Sequence, residues 1–167
     1  MILPELDAEA LYSQLERELI PALAGTRQLA VVGIYSGGAW IAERLAKALD
    51  VNALGYIDVS FYRDDFASRG LKEEVRPSQI AFEVEGATIL LVDDVLYTGR
   101  TTRAAINTLF DYGRPAKIML AALVDRGGRE LPVTADFVAS KVSLPAKQQL
   151  VLQKAEDGRL SLTVDHA

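Results

Sequence analysis

Short apolar runs alternate with amphipathic stretches along this chain. Leu11, Leu15 and Leu19 recur every four residues after Asp7, which predicts a capped first helix, with Pro21 as its expected end. Residues 29–34 form an apolar run, read as a buried strand, and Tyr35-Ser36-Gly37-Gly38 breaks it. The next stretch places Ile41, Leu45, Ala48 and Leu49 on one face and Glu43, Arg44 and Lys47 on another, the pattern of a surface helix. A second strand is expected over 53–60 and a third, of β-branched residues and leucines, over 88–92. A helix over about 101–112 gathers Ala105, Ile106, Leu109 and Phe110 on one face, and Gly113 and Pro115 stop it. Residues 117–124 read as a further strand, followed by the loop Asp125-Arg126-Gly127-Gly128. Leu150-Val151-Leu152 and Leu160-Ser161-Leu162 flank Asp157-Gly158, a hairpin signal.

Strands alternating with helices imply βαβ units, hence an α/β fold with a mainly parallel central sheet flanked by helices. In such sheets ligands bind beyond the carboxyl ends of the strands. That rule points to 35–38, 93–102 and 125–128. Between 61 and 79 the chain turns polar and charged, with Gly70 and Pro77. A loop of this length inside a compact domain suggests a functional lid.

The composition narrows the chemistry. At 167 residues and half apolar, the chain is expected to form a single domain spanning 1–167. It has no cysteine, and its one histidine is His166, which excludes thiolate chemistry and makes a histidine-based triad or metal cluster a poor fit. Neither a signal peptide nor the ~20 apolar residues of a membrane span is evident, so a cytoplasmic protein is expected. A net charge of -5 disfavours broad nucleic-acid affinity.

The richest segment is Val92-Asp93-Asp94-Val95-Leu96-Tyr97-Thr98-Gly99-Arg100-Thr101-Thr102. An apolar strand ends in two carboxylates, and a turn of hydroxyls and glycine opens a helix. The start of a helix offers unpaired N–H groups and a positive dipole end, which suits a phosphate. Adjacent carboxylates can accept from a pair of sugar hydroxyls. The plainer reading is a strand-end charge with a helix cap. Similarly, Arg126 could simply pair with Asp125 or Glu130 at the surface, and Trp40 reads as packing.

This segment resembles the phosphoribosyl pyrophosphate (PRPP) motif of type I phosphoribosyltransferases, in the form it takes in the PyrR family. Ile57-Asp58-Val59-Ser60-Phe61-Tyr62-Arg63-Asp64-Asp65, Gly113-Arg114-Pro115 and Leu123-Val124-Asp125-Arg126-Gly127-Gly128-Arg129-Glu130-Leu131-Pro132 are also similar to PyrR segments. The resemblance implies the type I fold with a small hood over about 125–147, conversion of uracil and PRPP to UMP and pyrophosphate, and pyrimidine-dependent regulation. It implies that Asp93 and Asp94 hold the ribose hydroxyls and that Val95, Tyr97, Thr98, Gly99, Arg100, Thr101 and Thr102 surround the 5′-phosphate. Tyr35, Ser36, Gly37 and Gly38 would form the pyrophosphate loop. Val124, Asp125 and Arg126 would border the base. Asp94 and Arg63 would serve catalysis, Arg63 from the lid at 61–79. Mg²⁺ would be held mainly through PRPP and pyrophosphate, with no dedicated protein metal site. UMP or UTP would act as effector, pyr leader RNA is the family's macromolecular partner, and a homodimer or larger homo-oligomer is implied.

Two departures bear on these expectations. Gly37 stands where the family commonly has arginine, and Gly128 where it has histidine. Of the basic positions that the family uses for RNA, Arg129 is matched and Lys141 lies next to another, while Thr134 and Ser140 are not basic. Two alternatives therefore stand beside the uracil enzyme: a nucleotide-sensing RNA-binding regulator with little catalysis, and a purine phosphoribosyltransferase.

Overall fold

The computed structural model describes residues 6–60 and 78–166. Ten elements follow in order: α1 (Ala8–Leu23), β1 (Leu29–Ile34), α2 (Gly37–Ala48), β2 (Leu54–Ile57), β3 (Thr88–Leu96), α3 (Arg100–Asp111), β4 (Lys117–Asp125), β5 (Phe137–Lys141), β6 (Gln148–Lys154) and β7 (Leu160–His166). The first five strands form one sheet in the order β2-β1-β3-β4-β5, and every pairing in it is parallel. The alternation of strand and helix thus has the expected consequence. Strands β6 and β7 pair antiparallel as a separate hairpin about Asp157 and Gly158.

The two faces of the sheet carry two apolar clusters, as the period of two along a strand requires. Val31, Leu90, Val92, Ala121 and Leu123 face the side covered by α1, α2 and the β6–β7 hairpin. Ala30, Val32, Ile89, Leu91, Leu120 and Ala122 face the side covered by α3, through Ala104, Ala105 and Leu109. Strands buried on both faces read as continuous apolar runs, which is why β1, β3 and β4 stand out in the sequence.

A polar tie fastens the first cluster. Arg44 on α2 donates to both carboxylate oxygens of Glu9 on α1, at 2.8 and 3.0 Å, and to the Gly158 carbonyl at 2.7 Å. Glu9 also accepts from the Leu160 amide at 2.7 Å. The guanidinium beside Glu9 holds its carboxyl below the usual range against the opposing effect of burial. Trp40 packs against the same cluster, with Lys154 Nζ 5.4 Å from its ring centroid.

Several boundaries differ from the sequence reading. Pro21 lies inside α1, which continues to Leu23. In the last turn a proline forfeits one hydrogen bond, and burial of Leu19 and Leu23 holds the turn in place. β2 stops at Ile57, where Ser60 folds back and donates its amide and hydroxyl to the Asp58 carboxylate. β3 runs through both acids to Leu96, because Asp93, Val95 and Leu96 still pair with Ala122, Val124 and Asp125. β5 has no counterpart in the pattern analysis. It is an edge strand in parallel register with β4, so this part of the expected hood lies in the central sheet. The lid expected over 61–79 lies outside the described residues apart from Ser78 and Gln79, as does Arg63.

Gly33 sets the distance between β1 and α2. A Cβ there would lie 2.6 Å from Ala39 Cα and 2.7 Å from Ala42 Cβ. Gly33→Ala is expected to cost about 1–3 kcal/mol by overpacking, read as a lower urea midpoint with an unchanged slope.

Candidate active site

The carboxyl ends of β1, β3 and β4 bring 35–38, 93–102 and 125–128 to one edge of the sheet, as expected for parallel strands. Asp93 is buried and Asp94 half-buried. Each carboxylate accepts from the next backbone amide: Asp94 N–H donates to Asp93 Oδ1 and Val95 N–H to Asp94 Oδ1, both at 2.8 Å. These bonds fix the acids against the strand, each through its Oδ1.

The first turn of α2 lies directly against this acidic strand end, and glycines make the approach possible. A Cβ at Gly38 would collide with the Val92 carbonyl oxygen and come within 3.1 Å of Asp93 Cα. A Cβ at Gly37 would collide with Asp94 Oδ2 and come within 2.8 Å of its Cγ. Gly37 thus carries no cationic side chain, and its backbone abuts the second acid. The N-terminal end of a helix favours negative charge, so α2 supports the carboxylates it touches. The peptide bond between Tyr35 and Ser36 is cis. The Tyr35 ring packs on Tyr56 of β2 with centroids 5.4 Å apart, and the Tyr56 hydroxyl donates to Glu43 at 3.0 Å. Burial, followed by that contact with Glu43, pushes the Tyr56 phenol up to about 12.

Beyond β3, Tyr97-Thr98-Gly99 turns the chain into α3. Gly99 takes φ 95°, a left-handed conformation that suits glycine. Thr98 Oγ1 accepts from the Arg100 amide at 3.2 Å. Thr102 is buried, and its hydroxyl has no hydrogen-bond partner among the described residues. Thr101 is half-buried in the first turn of α3, and Arg100 is exposed and pairs with Glu130 at 2.9 Å. The Thr98 carbonyl accepts from the amides of Glu130 and Leu131, at 2.9 and 3.1 Å. The loop after β4 therefore closes over the turn.

How that loop uses its arginines depends on contacts distant in sequence, and so is not legible from local pattern. Arg129 donates through Nη1 and Nη2 to the two Asp125 oxygens, at 2.9 and 2.6 Å, through Nη1 to the Tyr97 carbonyl at 2.8 Å and through Nε to the Val133 carbonyl at 2.6 Å. Arg126 is buried and meets neither Asp125 nor Glu130. Its guanidinium lies 3.9 Å from the Tyr97 ring centroid and donates to the carbonyls of Pro145, just before β6, and of Gln148, the first residue of β6. Val124 is wholly buried at the end of β4. Lys141 is exposed at the end of β5, paired in register with Asp125. Glu130, Leu131 and Val133, the last lying 3.2 Å from where a Gly99 Cβ would be, belong to the surroundings of the turn, a place that no local pattern assigns them.

Burial raises the Asp125 carboxyl, but hydrogen bonds from Arg129 and the Gly127 amide, with the charges of Arg129 and Lys141, carry it below its usual value. A depressed folded-state value stabilises the protein above the unfolded pKa of about 3.9 and loses that stabilisation as pH falls through the folded value. Asp125→Asn is accordingly expected to lower the melting temperature at pH 7, with the gap to wild type shrinking as the pH falls below about 4. Parallel thermal melts over pH 7 to 3 measure it.

Known proteins share both sequence and architecture with this chain. A family model for the phosphoribosyl transferase domain matches residues 3–149. The chain is 51% identical over 156 residues to the bifunctional protein PyrR of Ralstonia nicotianae, covering 92% of this chain and 90% of that one. It is 47% identical over 152 residues to the bifunctional protein PyrR of Nitrosococcus oceani, covering 88% and 86%. Among solved structures, a hypoxanthine phosphoribosyltransferase from Trypanosoma cruzi superposes with a TM-score of 0.63 at 24% identity over 85% of this chain and 81% of that one, a likeness of fold. An acidic strand end, a glycine-capped turn and near-complete overlap with these relatives converge on one assignment: the chain belongs to the phosphoribosyl transferase family, in the group of the bifunctional PyrR proteins.

Proposed function

We propose that this chain transfers the 5-phosphoribosyl group of PRPP to uracil, giving UMP and pyrophosphate, and that it also serves as a pyrimidine-responsive regulator. The observation that carries the reading is the acidic end of β3 running into the Gly99 turn and α3, with the first turn of α2 alongside. The ribose hydroxyls donate to Asp93 and Asp94. The 5′-phosphate sits at residues 95–102, where helix-start amides and threonine hydroxyls are donors. The pyrophosphate lies along 35–38, bound through backbone amides because Gly37 offers no side chain. Val124, Asp125 and Arg126 form the wall beside the base.

In the reaction the bond from C1′ to the pyrophosphate oxygen breaks, and its electron pair leaves with pyrophosphate. N1 of uracil bonds to C1′ and gives up its proton. Positive charge develops on the ribose ring between these events, and the Asp94 carboxylate stabilises it without forming a covalent bond. Orientation of both substrates supplies much of the remaining effect. Asp93 and Asp94 offer oxygen donors, and among the described residues no group of three acids or histidines could enclose an ion. That donor set suits Mg²⁺, which keeps several waters and few protein ligands and would come with PRPP. When bound it neutralises charge on the pyrophosphate leaving group.

The PyrR relatives at about half identity favour uracil over a purine, since the hypoxanthine enzymes share only the fold. The purified protein with PRPP and Mg²⁺ is expected to form UMP from uracil and little product from hypoxanthine or guanine. Asp94→Asn is expected to reduce kcat/KM by about 100-fold or more through loss of charge stabilisation. Conversion of a purine with no UMP formed, or an unaffected Asp94→Asn enzyme, overturns the reading.

A regulatory role adds UMP or UTP as effector, leader RNA as partner and a second copy of the chain. Arg129 can reach RNA only by giving up Asp125, whereas Lys141 is exposed. RNA binding with UMP present is therefore expected to show a shallow salt slope, of about one or two phosphate contacts per chain. Gel-shift titrations across a salt series measure the slope, and a complete absence of binding at low salt removes RNA from the proposal.

A further inference from the structure

Arg126 is a buried cation with an unusual set of partners. It is 6% exposed and, among the described residues, has no carboxylate beside it. Its Nη1 donates to the Gln148 carbonyl at 2.7 Å, and its Nη2 to the Pro145 carbonyl at 3.2 Å, with the Leu144 carbonyl at 3.5 Å. Its Cζ lies 3.9 Å from the centroid of the Tyr97 ring. Its own amide donates to the Leu96 carbonyl at 3.0 Å. A buried charge is costly unless dipoles surround it. Here carbonyl oxygens and the negative face of an aromatic ring take the place of a counter-ion.

The ring is confined on a second side. Gly128 has φ 77°, and a Cβ there would lie 2.5 Å from Tyr97 Cε1 and 2.9 Å from Cδ1. The missing side chain at 128 makes room for the ring that Arg126 covers. Meanwhile Arg129 holds the Tyr97 carbonyl at 2.8 Å. Ring, main chain and guanidinium therefore fix Tyr97 together, and the same guanidinium grips the segment that leads into β6.

We infer that Arg126 is a positioning residue that joins the ribose-phosphate turn, through the Tyr97 ring, to the 144–148 segment. The inference rests on the reading of residues 97–102 as that turn. Three of its five N–H groups donate to carbonyls, and Nε is buried without a partner among the described residues, so these bonds all serve to hold protein against protein. It acts as part of the wall beside the base and reaches the phosphate turn through the Tyr97 ring. Loosening it disturbs the phosphate turn as well as the base side, whereas a residue that contacted only the base would disturb one side alone. Lysine is no substitute, since it cannot present a planar fork to several carbonyls and stack on a ring at once.

The test is Arg126→Met, with PRPP affinity measured by calorimetry in the absence of base, uracil KM by steady-state kinetics and stability by thermal melting. Both the PRPP Kd and the uracil KM are expected to rise about tenfold or more, with kcat falling less than either. A rise confined to uracil overturns the inference in favour of a direct base contact. A lower melting temperature with both constants unchanged overturns it in favour of a merely structural bolt. Should Arg126→Met not fold, Gly128→Ala leaves the arginine in place and pushes on the ring at its Cδ1 and Cε1 atoms. It is expected to weaken PRPP to a similar degree, and an unchanged PRPP Kd overturns the coupling. A wild-type protein that makes no UMP sinks the proposed reaction and leaves the PRPP isotherms of the two variants to judge Arg126.

Discussion

The site depends on one close approach, the backbone of the first α2 turn against the acidic end of β3. Positions 33, 37 and 38 must all lack a side chain for it to occur, since each would otherwise meet backbone or a carboxylate. The approach has an electrostatic consequence. Two adjacent carboxylates repel one another, and here each is hydrogen-bonded to an amide while a helix N-terminus lies alongside. The strand can therefore carry both acids inside its paired length, with Asp93 opposite Ala122 and Val95, just beyond Asp94, opposite Val124 of β4. A strand held on both sides positions side chains more accurately than a loop does, and so the two acids are placed by the sheet, while the turn beyond them is held by the loop after β4.

The second organising element is the loop after β4. It contributes two arginines that are both consumed within the protein, one on Asp125 and main-chain carbonyls, the other on carbonyls and a ring. Charge that would serve for anion binding at a surface is spent on order. The effect is to make the turn at 97–102 part of a larger unit that includes the approach to β6. Gly37 and Gly128, which look like losses when set beside the family pattern, occupy places where the backbone of this chain lies close to the side chains of Asp94 and Tyr97.

Local pattern disclosed the elements with strong periodicity: β1, β3, β4, α2, α3 and the β6–β7 hairpin. Their apolar positions are neighbours in sequence, and burial of one face suffices to specify them. The acidic pair and glycine turn were equally legible, because a helix start after a strand has local chemistry. Three features were hidden. β5 is short and half-buried, so its pairing with β4 rather than its own composition makes it a strand. Pro21 stays helical because Leu19 and Leu23 are buried elsewhere. Arg126 sits beside an acid in sequence yet turns away from it, toward carbonyls some twenty residues on. Each outcome is decided by distant contacts, which composition and periodicity do not register.

The knot of Glu9, Arg44, Gly158 and Leu160 has a consequence for the order in which the molecule can be made. Glu9 and Leu160 are 151 positions apart. Closing so long a loop is entropically slow, and contacts of this kind lower folding rates. Until the hairpin arrives, Leu15 and Leu19 of α1 lack the cover of Leu150, Leu160 and Leu162, and the first apolar cluster remains open to water. The sheet with its acidic edge can assemble from neighbouring βαβ units before that. A nascent chain can therefore form the sheet and its acidic edge while still exposing a sticky helix, and the hairpin that arrives last serves as a closing flap for folding.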